Sequence, residues 1–378
     1  MLDTIREYGS HWLRGLGESD TLHRRHRDHY LALAHRGDAA WIGPDQFAWY
    51  DRMTAEHDNL RAALEYSLTG SEPHTEPHTE AHAEGHIALE MAAALWFFWY
   101  GCGFLKEGCH YLDQALAADT TASPARVKAL YASGPVLVYL GDLPALEERA
   151  AECTALATRY GDIEQGYAAA TELRVSVLRG DSEQVVSRVE AQLVTDWRDE
   201  PLTLIPLAAL VFVTHTLVAA GRFEEAVARL DELRAACDRY GERSMRAWGD
   251  FVRSQAELAQ GHFEEAHEHA RSALLVKHRL SDGVGTGMAL ESLARAATTA
   301  GRTRDAAWLL GLAAQLWETL GRPQAGIPAM VAAHETCKRQ TREALGEPAY
   351  ESAFTAGHTI PLNTGITQVI NQPRQSPL

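Results

Sequence analysis

The sequence predicts an all-α fold: a right-handed superhelical solenoid of helical hairpins with a repeat of about 40 residues. Three observations lead there. Glycines recur at Gly141, Gly180, Gly221, Gly261 and Gly301, spaced by 39, 41, 40 and 40 residues. Local text returns with them: GRFEEA at 221–226 comes back as GHFEEA at 261–266, and RYGD at 159–162 as RYGE at 239–242. Between the glycines, segments of roughly 17 residues are rich in Ala, Leu, Glu and Arg, with apolar residues three and four apart.

Taken in order, residues 1–70 read as an N-terminal helical block that lacks the period. Residues 71–86, SEPHTEPHTEAHAEGH, are a His/Glu/Pro-rich tract that reads as a flexible linker. The repeat array is expected over 87–358, with an early unit turning near Gly101 to Gly103 and an atypical last pair, about 325–356, capping the stack. Each unit is a hairpin, and the five glycines are its structural turns, because a residue just past a helix end often sits at positive φ, where a Cβ would clash. A second series, Gly161, Gly241 and Gly321, lies midway between members of the first. Ala226, Ala266 and Ala306 follow their turn glycines at one fixed offset, small enough for the second helix to approach the first. Ser123 followed by Pro124 marks a helix start. Residues 359–378, rich in Pro, Asn, Gln and Thr, are expected to form a disordered tail. Hairpins of this kind cannot bury their apolar faces alone, so they stack and leave a concave groove lined mainly by the first helices.

Composition narrows the function. With 35 basic against 51 acidic residues the net charge is −16, which opposes the electrostatic term that dominates nucleic-acid binding, so no direct nucleic-acid contact is expected. The five cysteines are scattered and form no C-x-x-C pair, which fits a reducing cytoplasm. The opening MLDTIREYGSHWLRG carries charges where an export signal needs an apolar region. The uncharged run from Pro201 to Gly221 is long enough to span a bilayer, but Pro206, Thr214, His215 and Thr216 dilute it and it keeps register with the repeats, so no membrane span is expected.

No catalytic site, metal site or cofactor emerges. His74, His78, His82 and His86 recur every four residues, but in a tract expected to be flexible and so without preformed ligand geometry. His23, His26 and His29 lie among arginines, which work against a bound cation. The Glu107/His110 and Glu264/His267 pairs have di-iron spacing yet sit about four repeats apart. HETCK at 334–338 ends in Lys338 where a zinc protease motif needs its second His. There is no phosphate loop and no nucleophile elbow. The aromatic run Leu95 to Tyr100 reads as packing before it reads as a ligand platform.

One register carries a candidate binding surface. Six residues before each turn glycine stand Pro135, Arg174, His215, Gln255 and Arg295, so four successive first helices present a polar side chain at one place. Stacked, Arg174, His215, Gln255 and Arg295 form either a groove stripe that contacts a ligand or partner, or a solvent-facing row.

Several segments also resemble one family, the large actinobacterial LuxR-type transcriptional regulators in which a STAND (NB-ARC) ATPase and a winged helix precede a tetratricopeptide-like region. LDTIREYGSHWL at the start resembles the segment that follows the winged helix; AEHDNLRAALEYSL (55–68), LWFFWYGCGFLKEGCHYLDQALA (95–117) and the stretch 309–357 resemble successive parts of the helical region. The resemblance implies tetratricopeptide-like hairpins acting as a sensor arm for a protein partner or small inducer. The residues of the ATPase and of the helix-turn-helix do not occur in this chain, so neither activity is carried over. A free-standing scaffold unrelated to transcription is the alternative.

Overall fold

The structure, a computed structural model, describes residues 3–69, 79–180 and 204–372. Among these the chain is helical throughout, with nineteen α-helices and no strand. They are α1 (Asp3–Leu16), α2 (Ser19–Ala40), α3 (Gln46–Ala55), α4 (His57–Thr69), α5 (Thr79–Ala94), α6 (Trp96–Gly101), α7 (Leu105–Ala118), α8 (Pro124–Leu140), α9 (Leu143–Ala157) and α10 (Asp162–Arg179). The series continues with α11 (Leu204–Ala219), α12 (Phe223–Tyr240), α13 (Ser244–Ala259), α14 (Phe263–Arg279), α15 (Gly283–Thr299), α16 (Thr303–Leu320), α17 (Pro328–Leu345), α18 (Glu347–Thr359) and α19 (Leu362–Asn371). A 3₁₀ turn, Pro323–Gly326, separates α16 from α17.

Local chemistry sets the helix ends. Ser123 accepts a hydrogen bond from the Arg126 N–H at 3.1 Å and Pro124 occupies the first turn, where its missing N–H costs nothing. Gly141, Gly180, Gly221, Gly261 and Gly301 all sit at φ between 64° and 83°. The second glycine series is mixed: Gly241 and Gly321 end helices at positive φ, whereas Gly161 has φ −83° and begins α10.

Packing is sequential, as stacked hairpins require: α8 on α9, α9 on α10, α11 on α12, and so on to α15 on α16, with each first helix also touching the next first helix. Ala226, Ala266 and Ala306 are buried where second helices cross first ones. The apolar run expected to be soluble is α11, one helix of a hairpin, and none of the described helices is long and apolar enough to cross a membrane.

Three parts of the chain differ from expectation. Residues 3–69 are not set apart: α2 and α4 pack on α5, and the tip before α3 docks on the α12–α13 turn. There Gln46 accepts hydrogen bonds from the Arg243 and Ser244 N–H groups at 2.8 and 3.0 Å and donates to Glu242 at 2.8 Å, and Pro44 fills the space beside Gly241. Of the supposed linker, 71–78 lie outside the described residues and the rest is the first half of α5, anchored by His86 to Asp119 at 2.8 Å. Low-complexity text ended up helical because Ala88, Leu89, Met91 and Ala92 bury the same helix further on.

The expected tail is a correction too. α19 covers 362–371, burying Ile366 and Val369 while Arg271 donates to the Ile370 carbonyl at 2.9 Å. Its polar composition hid two apolar residues three apart, which suffice to dock one short helix. Ahead of it, α18 crosses α16 at glycines: a Cβ on Gly311 would stand 2.0 Å from the Phe354 carbonyl oxygen, and one on Gly357 1.9 Å from that of Trp308.

Gly221 isolates the backbone cost of a turn, because nothing lies within 4 Å of where its Cβ would be and φ is +75°. Gly221→Val is expected to destabilise the chain by about 1–3 kcal/mol, read by urea denaturation. An unchanged midpoint would mean that the turn does not require the left-handed conformation.

Candidate functional site

The first helices of the repeats share one inner face, and it is covered by the chain itself. α8, α10, α11, α13 and α15 direct side chains into a common cavity of about 150 Å³, α6 adds Trp96 and Tyr100, and the 3₁₀ turn and the residues just after it add Ala325, Ile327 and Met330. Apart from Arg174 and His215, its walls are aromatic and aliphatic, with Phe212, Trp248, Phe251 and Met288 prominent. No Asp or Glu is among the described residues that line it.

Closure depends on the turn 323–326. Gln324 and Ala325 hold φ of 47° and 52°, a left-handed conformation that costs roughly 1–3 kcal/mol per non-glycine residue and survives only when surroundings over-determine it. Here they do. Glu291 accepts from Gln324 Nε2 at 2.9 Å and from Trp317 Nε1 at 3.2 Å, and pairs with His334 Nδ1 at 2.9 Å. The Arg322 guanidinium fills the places that side chains on Gly141 and Gly326 would take, and Tyr139 donates to the Leu320 carbonyl at 2.9 Å. The turn glycine of α8 is therefore also the socket that ties the last helices to the first complete repeat.

Behind the cavity wall lies an ion pair. Lys277 and Asp282 are 1% and 2% exposed and 3.1 Å apart. The Lys277 ammonium stands 4.3 Å over the Trp248 ring, one face of which it fixes. Burial pulls Lys277 below the usual lysine range, with Asp282 opposing the shift, and Asp282 also caps α15 by accepting from the Gly285 N–H at 2.8 Å.

The register predicted from the turn glycines divides. Arg174, on α10, is 4% exposed and lines the cavity. It lies 4.6 Å over the Tyr131 ring and donates one long hydrogen bond, 3.4 Å, to the Ala170 carbonyl. Gly134 leaves room for it: a Cβ there would be 3.3 Å from Arg174 Cδ. His215, on α11, lines the same cavity, and desolvation holds its imidazole below the usual histidine range. Gln255, on α13, is half-buried with its Nε2 lacking a partner among the described residues and does not reach the cavity. Arg295, on α15, lines a separate small pocket with Glu291, Met330 and His334, and burial lowers its pKa.

There is thus neither an open stripe nor a solvent-facing row. The 3₁₀ turn and α17, which pack on α15 and α16, cover the inner side and separate the upper and lower parts of the register. Sequence reasoning missed Ala325, Ile327 and Met330 because nothing local marks an atypical last repeat as a cover. In the aromatic run, Leu95 and Phe97–Trp99 are core, whereas Trp96 and Tyr100 face the cavity.

The other motifs found mundane partners. Glu107 pairs with His57 at 2.8 Å, His110 contacts Gln114, and His26 lies tilted against Tyr30 with ring centroids 4.6 Å apart. Among the described residues no three His, Cys, Asp or Glu side chains converge as a metal site would require; His74 and His78 lie outside them.

With this geometry in view, the chain was compared with known proteins. No family model matches it. One protein of Mycobacterium bovis and two of Mycobacterium tuberculosis, described as HTH-type transcriptional regulators, are 29% identical to it over 174 residues. That match covers 43% of this chain and 18% of each relative, so the chain spans only a small part of the length of these relatives.

Two outcomes follow from the walls of the cavity. Asp282→Ala, which strands Lys277 in the interior, is expected to cost about 3–5 kcal/mol, and adding Lys277→Met is expected to recover most of it. Additive losses in denaturant titrations would show the two groups to be independent. For His334, desolvation opposes protonation but the Glu291 carboxylate outweighs it, so its pKa is raised on folding. Its stabilisation is complete below the unfolded value near 6.5 and is lost as pH rises through the folded one. His334→Gln should therefore lower the melting temperature more at about pH 5.5 than at about pH 9; an equal loss at both would remove the charge from the explanation.

Proposed function

We propose that the chain is a non-catalytic sensor and interaction region of a LuxR-type transcriptional regulator carrying a signalling ATPase, and that a small inducer or partner protein acts through its repeats. The observation that carries this reading is the alignment with mycobacterial HTH-type regulators, of which the matched region is a minor share. A region that small within a DNA-binding regulator, built of hairpins around an apolar cavity, suits reception of a signal. The cavity offers hydrophobic walls and a few polar groups, Arg174 and His215 among them, the composition of a binding site. A net charge of −16 leaves DNA contact to other parts of such a regulator.

A free-standing scaffold would use an open concave face for extended peptides. Here Ala325, Ile327 and Met330 lie over that face, which favours a small ligand at the centre and partner contacts on the outside.

The test is a chimera in which the matching region of the Mycobacterium tuberculosis regulator is replaced by this chain, with deletion of that region as control. Output from a reporter under that regulator is expected to differ from the deletion by roughly fivefold or more, the scale of a coupling of about 1 kcal/mol. A chimera indistinguishable from the deletion would overturn the assignment.

A further inference from the structure

Three arginines among the described residues are almost wholly withdrawn from solvent, Arg27, Arg126 and Arg174, and two of them are met by carboxylates. Arg27 is met by Glu84 and Asp28; Arg126 is met by Glu152 at 2.6 Å and by the Leu116 and Asp119 carbonyls. Arg174 is the most deeply buried of the three, yet among the described residues it has no carboxylate. One long bond to a carbonyl and the face of Tyr131 do not replace a counter-ion, and an uncompensated buried charge costs several kcal/mol. The guanidinium borders the cavity, so the missing anion has a place to sit. His215 adds a polar contact there without a second charge, since burial favours its neutral form.

Size follows from volume. An apolar cavity of about 150 Å³ in a protein core accommodates one benzene ring, and this one has the same volume. We propose that the central cavity binds a monocarboxylic acid with an apolar body about the size of one aromatic ring, its carboxylate on Arg174 and its body among Phe212, Trp248, Phe251 and Met288. The guanidinium fork matches a carboxylate bidentately, and desolvation inside the apolar walls strengthens that pair. The proposal names the inducer class of the sensor reading above and rests on it. Its test uses no reporter, so a failed chimera and failed binding are separate results.

Phenylacetate, 2-phenylethanol, 2-phenylethylamine and acetate serve as probes for calorimetry and thermal shift on the purified full chain. Phenylacetate is expected to bind at least about tenfold more tightly than 2-phenylethanol, with acetate and the amine weaker still. Arg174→Met should leave the unliganded chain as stable or more so, keep the alcohol, and bring the acid-to-alcohol ratio close to one. Equal binding of acid and alcohol, a ratio unchanged by Arg174→Met, or no binding by any probe would overturn the proposal. If Arg174→Met fails to fold, Ala208→Phe provides the second variant by filling the cavity. Loss of both acid and alcohol supports the site; undiminished binding of the acid overturns it.

Discussion

A hairpin whose two helices are apolar on the stacking face and again on the inner face has more to hide than its neighbours can cover. In this chain the protein's own C-terminal segment covers part of the inner face with Ala325, Ile327 and Met330. The Arg322 guanidinium packed between Gly141 and Gly326, with Tyr139 bonded to the Leu320 carbonyl, holds that segment against the first complete repeat. The cavity wall at Ala325 and the left-handed backbone at Gln324 and Ala325 go with that contact.

Most buried polar groups are matched: Glu291 gathers Gln324, Trp317 and His334, Gln46 satisfies the α12–α13 turn, and Lys277 has Asp282. Buried side-chain atoms without a hydrogen-bond partner among the described residues are spread over the fold, from Glu107 and Arg302 to Arg342 and Tyr350; of them the Trp248 side chain lines the cavity.

Much of the architecture was legible because it is written in local chemistry. Turn glycines at an almost constant interval, the GRFEEA and GHFEEA echoes and the Ser123–Pro124 cap each act over a few residues, and the helices obey them. The binding register was legible only in part. Counting back from Gly180 and Gly221 reached Arg174 and His215, both on the cavity, but the same count reached Gln255 and Arg295, which the covering segment leaves elsewhere. The supposed linker and tail were misread because composition averages over residues, whereas docking α5 and α19 needed only a few well-placed apolar side chains.

By itself the sequence determined that the chain is helical, that it is built from hairpins of about 40 residues, and which glycines turn them, since helix propensity, capping and positive φ are properties of short segments. Only the tertiary structure decided that the array closes on itself, that Pro44 and Gln46 reach the α12–α13 turn, and that Ala325, Ile327 and Met330 lie opposite Arg174. Those pairings join residues far apart in the chain, and their free energy comes from burial and shape complementarity. No local pattern encodes either until the partners are brought together.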